Sequence, residues 1–155
     1  ELLGEKGYKV SLDVVGKIKD QTVFEKIKDL DFVNYLGIKT KEELLEIYRN
    51  NDIFILPSIN ETFGLVYAEA MSQGLPLIYS RGQGFDCQFP EGEVGFSVNC
   101  FNELEISNRI IDIKTGFKKI SNNCIILCEK FKWENVASEY SNIYFNVVSI
   151  SGGER

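Results

Sequence analysis

The chain has 155 residues, with 17 Lys and Arg against 23 Asp and Glu, a net charge of −6. That length suits one domain burying roughly 70% of its unfolded surface, and leaves no room for a second. Hydrophobic residues at 44% and charged residues at 26% exclude a disordered chain, and no apolar run approaches the ~20 residues of a membrane-spanning helix.

The basic residues are scattered among acidic ones, so no nucleic-acid footprint is expected. Histidine is absent, and Cys87, Cys100, Cys124 and Cys128 show no CxxC spacing, which argues against a zinc site or a Cys–His nucleophile. Free thiols in a reducing cytoplasm are the expectation. Met71 is the only methionine and the sequence opens on Glu1, so it is expected to be a piece of a longer protein, with a domain over residues 1–150 and a tail over 151–155.

Along the chain, residues 10–16 and 31–37 are β-branched apolar runs ended by Gly16 and Gly37, predicted as strands buried on both faces. Between them Thr22 and Glu25 have capping-box spacing and open a helix through Phe24, Ile27 and Leu30. Thr40 and Glu43 form a second such box, before a helix that carries Leu44, Leu45, Ile47 and Tyr48 and ends near Asn50 and Asn51. Residues 52–57 read as a third strand, 63–73 as a helix stopped by Gly74, and 77–80 as a fourth strand after Pro76. The glycine-rich stretch 82–95 predicts a long loop with one helical turn, leading to a short strand over 95–98. Three helices follow, over 102–114, 118–130 and 133–148, with Cys124 and Cys128 on the core side of the second. Strands alternating with helices predict an α/β fold, a Rossmann-like parallel sheet flanked by helices with a helical C-terminus.

The chemistry concentrates in residues 52–76. A strand runs into a polar loop, and the loop into a helix whose first turn is expected to contain Gly64. In open parallel sheets ligands bind beyond the carboxyl ends of the strands, where helix starts present unpaired N–H groups and partial positive charge. The missing Cβ of Gly64 would let an anion approach the backbone N–H groups of Phe63, Gly64 and Leu65. Glu61 in the loop and Glu69 on the second turn would repel a phosphate, yet a carboxylate accepts two hydrogen bonds from neighbouring hydroxyls, as on a ribose or hexose. By spacing alone, Glu61 as a helix cap and Glu69 as a solvated surface residue stays open.

The run Asp52 to Pro57, Glu61-Thr62-Phe63-Gly64-Leu65-Val66, Glu69-Ala70-Met71 and Gly74-Leu75-Pro76, followed in step by Gly84, Gly92 and Gly95-Phe96, resembles the nucleotide-sugar half of family-four glycosyltransferases of the GT-B fold. Tyr35-Leu36-Gly37, Glu43 to Tyr48 and Phe131-Lys132-Trp133-Glu134 with Tyr140 and Tyr144 extend the resemblance over most of the chain. It implies that Glu69 binds the ribose of a nucleotide-sugar donor and that Glu61, the candidate catalytic residue, lies near the transferred sugar. The Phe63, Gly64 and Leu65 backbone would then receive the sugar and diphosphate, with Leu36 and Gly37 bordering the base.

The resemblance also implies a retaining transfer to a sugar or lipid-linked acceptor, with neither cofactor nor metal. Bacterial polysaccharide or glycolipid synthesis is the implied setting, in the cytoplasm or at the inner face of the membrane, with any peripheral membrane association made through a missing N-terminal domain. Several positions depart from the family pattern. Lys17-Ile18-Lys19 stands where a second glycine is common, Asp86-Cys87 lacks the usual Pro-Glu, and Arg81 replaces a frequent acid. The family's Arg and Lys pair for the diphosphate is absent and would precede the helix that Glu1-Leu2-Leu3-Gly4 finishes. Two alternatives remain: another GT-B enzyme, such as a nucleotide-sugar epimerase or a phosphorylase, and a non-enzymatic signalling module, such as a receiver domain. The receiver domain would need an aspartate cluster at strand ends, whereas Asp52 begins its strand.

Overall fold

A computed structural model describes residues 2–151. In chain order the elements are α1 (Leu2–Glu5), β1 (Leu12–Val15), α2 (Gln21–Ile27), β2 (Val33–Gly37), α3 (Lys41–Arg49), β3 (Phe54–Leu56), α4 (Leu65–Ser72), β4 (Leu77–Ser80), β5 (Gly95–Val98), α5 (Glu103–Leu127), a 3-10 turn (Cys128–Phe131) and α6 (Trp133–Ser151). Ser151 closes α6, and the remainder of the expected 151–155 tail lies outside the described residues.

The alternation of strands and helices follows the sequence reading, and every strand pair is parallel. The strands nevertheless form two sheets, β1-β2 and β3-β4-β5. In the first, Leu12 faces Val33 and the register shifts between Val14 and Val15. In the second, Phe54 faces Leu77 and Leu77 faces Gly95. Asn51, just past α3, donates to the Asp13 carboxylate at 3.0 Å and so ties the two sheets through side chains.

Burial on both faces, expected for residues 10–16 and 31–37, is not found: Val10, Leu12, Phe32 and Tyr35 are exposed. A two-stranded sheet offers little surface to layer against, and α2 covers part of it through Phe24, whose ring lies 4.9 Å from Tyr35. The core sits instead around β4, all four residues of which are buried between β3 and β5 beneath α4 and α5. Met71, Leu77, Ile78, Val98, Ile113 and Cys124 form its centre. Beside them an aromatic cluster joins Phe54, Tyr67, Tyr79, Phe85, Phe89 and Phe131 by ring contacts of 4.7 to 6.1 Å between neighbours, with Tyr67 to Tyr79 slightly longer at 6.3 Å.

The capping box expected at α3 is present, with Thr40 and Glu43 making both of its bonds, and the one expected at α2 is absent. There Asp20 is the cap, accepting from the backbone N–H groups of Thr22 and Val23 and from the Thr22 hydroxyl, while Glu25 pairs with Gln21 and Lys28. A carboxylate two residues upstream outcompetes the hydroxyl because it accepts several bonds at once. The two helices expected over 102–130 are one continuous α5. Gly116 does not break it, because Ile113, Ile120 and Cys124 keep one buried stripe across the glycine, and burying them outweighs a helix cost of about 1 kcal/mol. No helical turn forms in the loop over 82–94, which is a succession of turns folded around the buried Phe85. Among the described residues no helix is long and apolar enough to cross a membrane.

Candidate functional site

The polar segment over 57–64 leaves the carboxyl end of β3, and four hydrogen bonds fasten it and that strand end. Tyr67, in the first turns of α4, donates its hydroxyl back to the Leu56 carbonyl at 2.6 Å. Ser80, at the end of β4 and almost fully buried, donates to the Ser58 carbonyl. The side-chain oxygen of Gln83 accepts the Glu61 N–H at 2.8 Å, and the Gly84 N–H donates to the Glu61 carbonyl at 3.2 Å. Gly84 is packed so closely that a Cβ there would lie 1.6 Å from the Thr62 carbonyl oxygen.

Gly64 is placed differently from the sequence expectation. It is not in the first turn of the helix but is the residue before it, in the left-handed region at φ +74°, and α4 begins at Leu65 with no side-chain cap. Phe63 and Gly64 therefore do not continue a helical turn, and the uncapped helix start belongs to Leu65 and Val66, since the Tyr67 N–H already bonds the Gly64 carbonyl. A Cβ on Gly64 would fall 2.5 Å from the Tyr67 ring, and the Glu61 carboxyl carbon lies 3.3 Å from that same point. The glycine thus brings the Glu61 carboxyl group close over the start of α4, a placement a larger residue would obstruct.

Phe63 points its ring into the aromatic cluster, 5.6 Å from Phe131, so only its backbone faces the loop. Leu65 is exposed. Glu69 lies on the second turn, partly exposed, with the Lys41 ammonium at 4.0 Å from its carboxylate. Lys41 begins α3, so the helix after β2 starts beside Glu69. Leu36 and Gly37 end β2 upstream of it; Gly37 is left-handed at φ +72°, and its carbonyl accepts the Gly16 N–H at 2.9 Å. Glu61 and the segment over 82–84 thus gather at the start of α4, and Glu69 with the start of α3 one turn further on. Leu36 and Gly37 join the second group only through the loop over 38–40.

Electrostatics carry the imprint of both acids. Burial, reinforced by the Glu61 charge, pushes the Tyr67 hydroxyl up to about 12, and burial with Glu69 raises Tyr48. Both phenols therefore stay neutral and able to donate. Arg81 turns away from this cluster, to the Glu105 carboxylate at the start of α5 and the Ser97 carbonyl. Lys17 and Lys19 are exposed on the loop after β1. Among the described residues no cluster of three or more His, Cys, Asp or Glu side chains could hold a metal ion. All four cysteines are free; Cys124 is buried with its thiol on the Val94 carbonyl, and Cys128 is half-buried.

Sequence reasoning did not anticipate Tyr67, Ser80, Gln83 or Lys41. Tyr67 and Lys41 carried no signal, since each lies on a helix face that periodicity cannot aim. Gln83 carried a faint one, a polar residue between two glycines directly after a buried strand.

The sequence pattern of the family described as glycosyl transferases group 1 matches residues 1–125. D-inositol 3-phosphate glycosyltransferase of Corynebacterium aurimucosum is 27% identical over 121 residues, which are 76% of this chain and 29% of that protein. The chain thus spans under a third of that curated relative's length. Among solved structures, sucrose-phosphate synthase from Thermosynechococcus elongatus superposes with a TM-score of 0.72 at 23% identity, over 90% of this chain and 39% of its own. The Anabaena protein HepE in complex with UDP-glucose superposes at 0.69 and 19% identity, over 90% and 41%. These likenesses agree with the parallel α/β architecture, and the match over most of the sequence places the chain in a family: it belongs to the glycosyl transferases group 1, with the fold of GT-B glycosyltransferases.

Proposed function

We propose that the chain forms the donor-binding domain of a transferase that moves a sugar from a nucleotide-diphospho-sugar to an acceptor, with retention at the anomeric carbon. The observation that supports it most is the Glu61 carboxyl group close over the left-handed Gly64, at an uncapped helix start, with Glu69 on the next turn. Family membership and the UDP-glucose bound to the similarly folded Anabaena protein support the same reading.

In this reading Glu69 accepts hydrogen bonds from the ribose hydroxyls, with the Lys41 ammonium 4.0 Å from its carboxylate. Glu61 accepts from hydroxyls of the transferred sugar and stabilises positive charge developing at its anomeric carbon. The Leu65 and Val66 N–H groups and the positive end of α4 stabilise charge on the departing diphosphate, an electrostatic contribution that requires no nucleophilic side chain. Leu36 and Gly37 border the base, and the acceptor enters across from Glu61. Metal-free transfer, a bacterial cell-surface polysaccharide or glycolipid product, and a cytoplasmic location at or near the membrane complete the proposal.

The test is a thermal-shift panel of UDP-, GDP- and ADP-sugars on the full-length protein, because a ligand that binds only the folded state raises apparent stability by about 2.7 kcal/mol at a hundred times Kd. One nucleotide class should raise the midpoint. Its diphosphate should shift the amide resonances of Leu65 and Val66 at the start of α4, and shifts confined to other regions would refute the assignment.

A further inference from the structure

Resting on the reading of this region as a sugar-donor site, we infer that Gln83 is a positioning residue for Glu61, setting where its carboxyl group meets the transferred sugar. Glu61 lies in an eight-residue polar segment, 57–64, with no regular secondary structure of its own. A carboxylate on such a segment would have to be ordered at each binding event, at about 1–2 kcal/mol per backbone residue. Its peptide is instead gripped on both sides by consecutive residues of the turn after β4, at the same carboxyl edge of the sheet. The Gln83 side-chain oxygen takes the Glu61 N–H at 2.8 Å, and the Gly84 N–H gives to the Glu61 carbonyl at 3.2 Å.

The two bonds are not equivalent. The one from Gly84 is backbone to backbone and survives any side-chain change that leaves the loop in place. The one from Gln83 is a side-chain choice, spanning 22 residues of sequence, and it is half-buried where water replaces it poorly. Gln83 is in turn fixed from behind: its N–H lies 3.4 Å from the Ser80 carbonyl, and Asp86 holds the neighbouring Gly82 N–H at 2.7 Å. Ser80 itself anchors the other end of the polar segment through the Ser58 carbonyl. The end of β4 and the turn after it therefore clamp the segment at Ser58 and at Glu61, and Gln83 is the side chain of that clamp that acts on Glu61. Since Glu61 faces the sugar and Glu69 the nucleoside, the two halves of the donor should respond differently to its loss.

The experiment compares calorimetric binding of UDP with UDP-glucose, GDP with GDP-mannose and ADP with ADP-glucose to the full-length protein, then takes the pair that binds through Gln83→Met, Glu61→Gln and the double variant. Gln83→Met should weaken the sugar nucleotide by ~10-fold while the free diphosphate stays within about twofold, as should Glu61→Gln. The double variant should be no weaker than Glu61→Gln alone, because both changes act through one carboxylate. Equal losses for diphosphate and sugar nucleotide would make Gln83 merely structural and overturn the inference, as would additive losses in the double variant or no loss at all. Should Gln83→Met fail to fold, Gln83→Asn, which withdraws the same amide by one methylene, reads the same ratio. If the wild-type protein binds none of the three pairs, the donor-site reading itself falls, and this inference with it.

Discussion

Gly64 and Gly84 show how single residues without a side chain decide where a carboxylate sits. Gly64 holds φ +74° and leaves room for both the Tyr67 ring and the Glu61 carboxyl group. Gly64→Ala should cost about 1–3 kcal/mol, read by chemical denaturation, with donor affinity falling alongside. Gly84→Ala should be worse, because its Cβ would meet the Thr62 backbone carbonyl at 1.6 Å, which no side-chain rotation relieves, whereas the Tyr67 ring can shift. A denaturation ranking with Gly64 above Gly84 would contradict this account. Glu69→Ala should weaken nucleotide and sugar nucleotide alike, by ~10-fold in calorimetry, since its proposed partner is the ribose common to both. The E-x7-E spacing and both glycines were legible in the sequence; the left-handed conformation of Gly64 was not, because a glycine before a helix and one in its first turn look the same in a string of letters.

At the scale of elements, helix boundaries divide according to whether their signal is local. Thr40 and Glu43 satisfy each other within one turn, so the start of α3 was readable. At α2 two candidate caps compete within three residues, and Asp20 prevails. Asp20→Ala should therefore lower stability by about 1 kcal/mol, and Thr22→Ala by clearly less, since the Thr22 hydroxyl only donates to the Asp20 carboxylate. Equal costs in urea titrations would restore the capping box read from sequence. Gly116 tests the continuity of α5. Gly116→Ala should stabilise by roughly 0.5 kcal/mol, the helix propensity gained less a small adjustment of the Ile120 side-chain end, 3.3 Å from the new Cβ. A net loss there would indicate that Ile120 cannot yield.

For the whole molecule, the packing of aromatic residues beside β4 makes stability depend on alkaline pH. Tyr67 is raised to about 12 by burial and Glu61, Cys124 to about 12 by burial, and Tyr79 is raised by burial and neighbouring acids. Each is protonated and neutral when folded, so its contribution is complete below the ordinary thiol and phenol values near 9 and 10 and is lost as pH rises towards 12. Unfolding free energy should be flat to about pH 9 and then fall. Tyr67→Phe should reduce that fall by about 2–3 kcal/mol, while costing about 1 kcal/mol at neutral pH by removing one of the two donors to the Leu56 carbonyl, which keeps the Ser58 N–H. A slope unchanged by Tyr67→Phe would exclude the phenol as its source.

The sequence by itself determined the parallel α/β alternation and the position of the acidic pair, because hydrophobic periodicity, caps and the Glu61 to Glu69 spacing are properties of neighbouring residues, and the family resemblance was carried by the motifs from Asp52 to Pro76. Only the tertiary structure decided that the strands form two sheets, that α5 runs through Gly116, and that Ser80, Gln83 and Gly84, from the end of β4 and the turn after it, hold the Glu61 segment. Those outcomes depend on which distant surfaces are buried together and on hydrogen bonds between residues about twenty apart, and neither leaves a periodic trace along the chain.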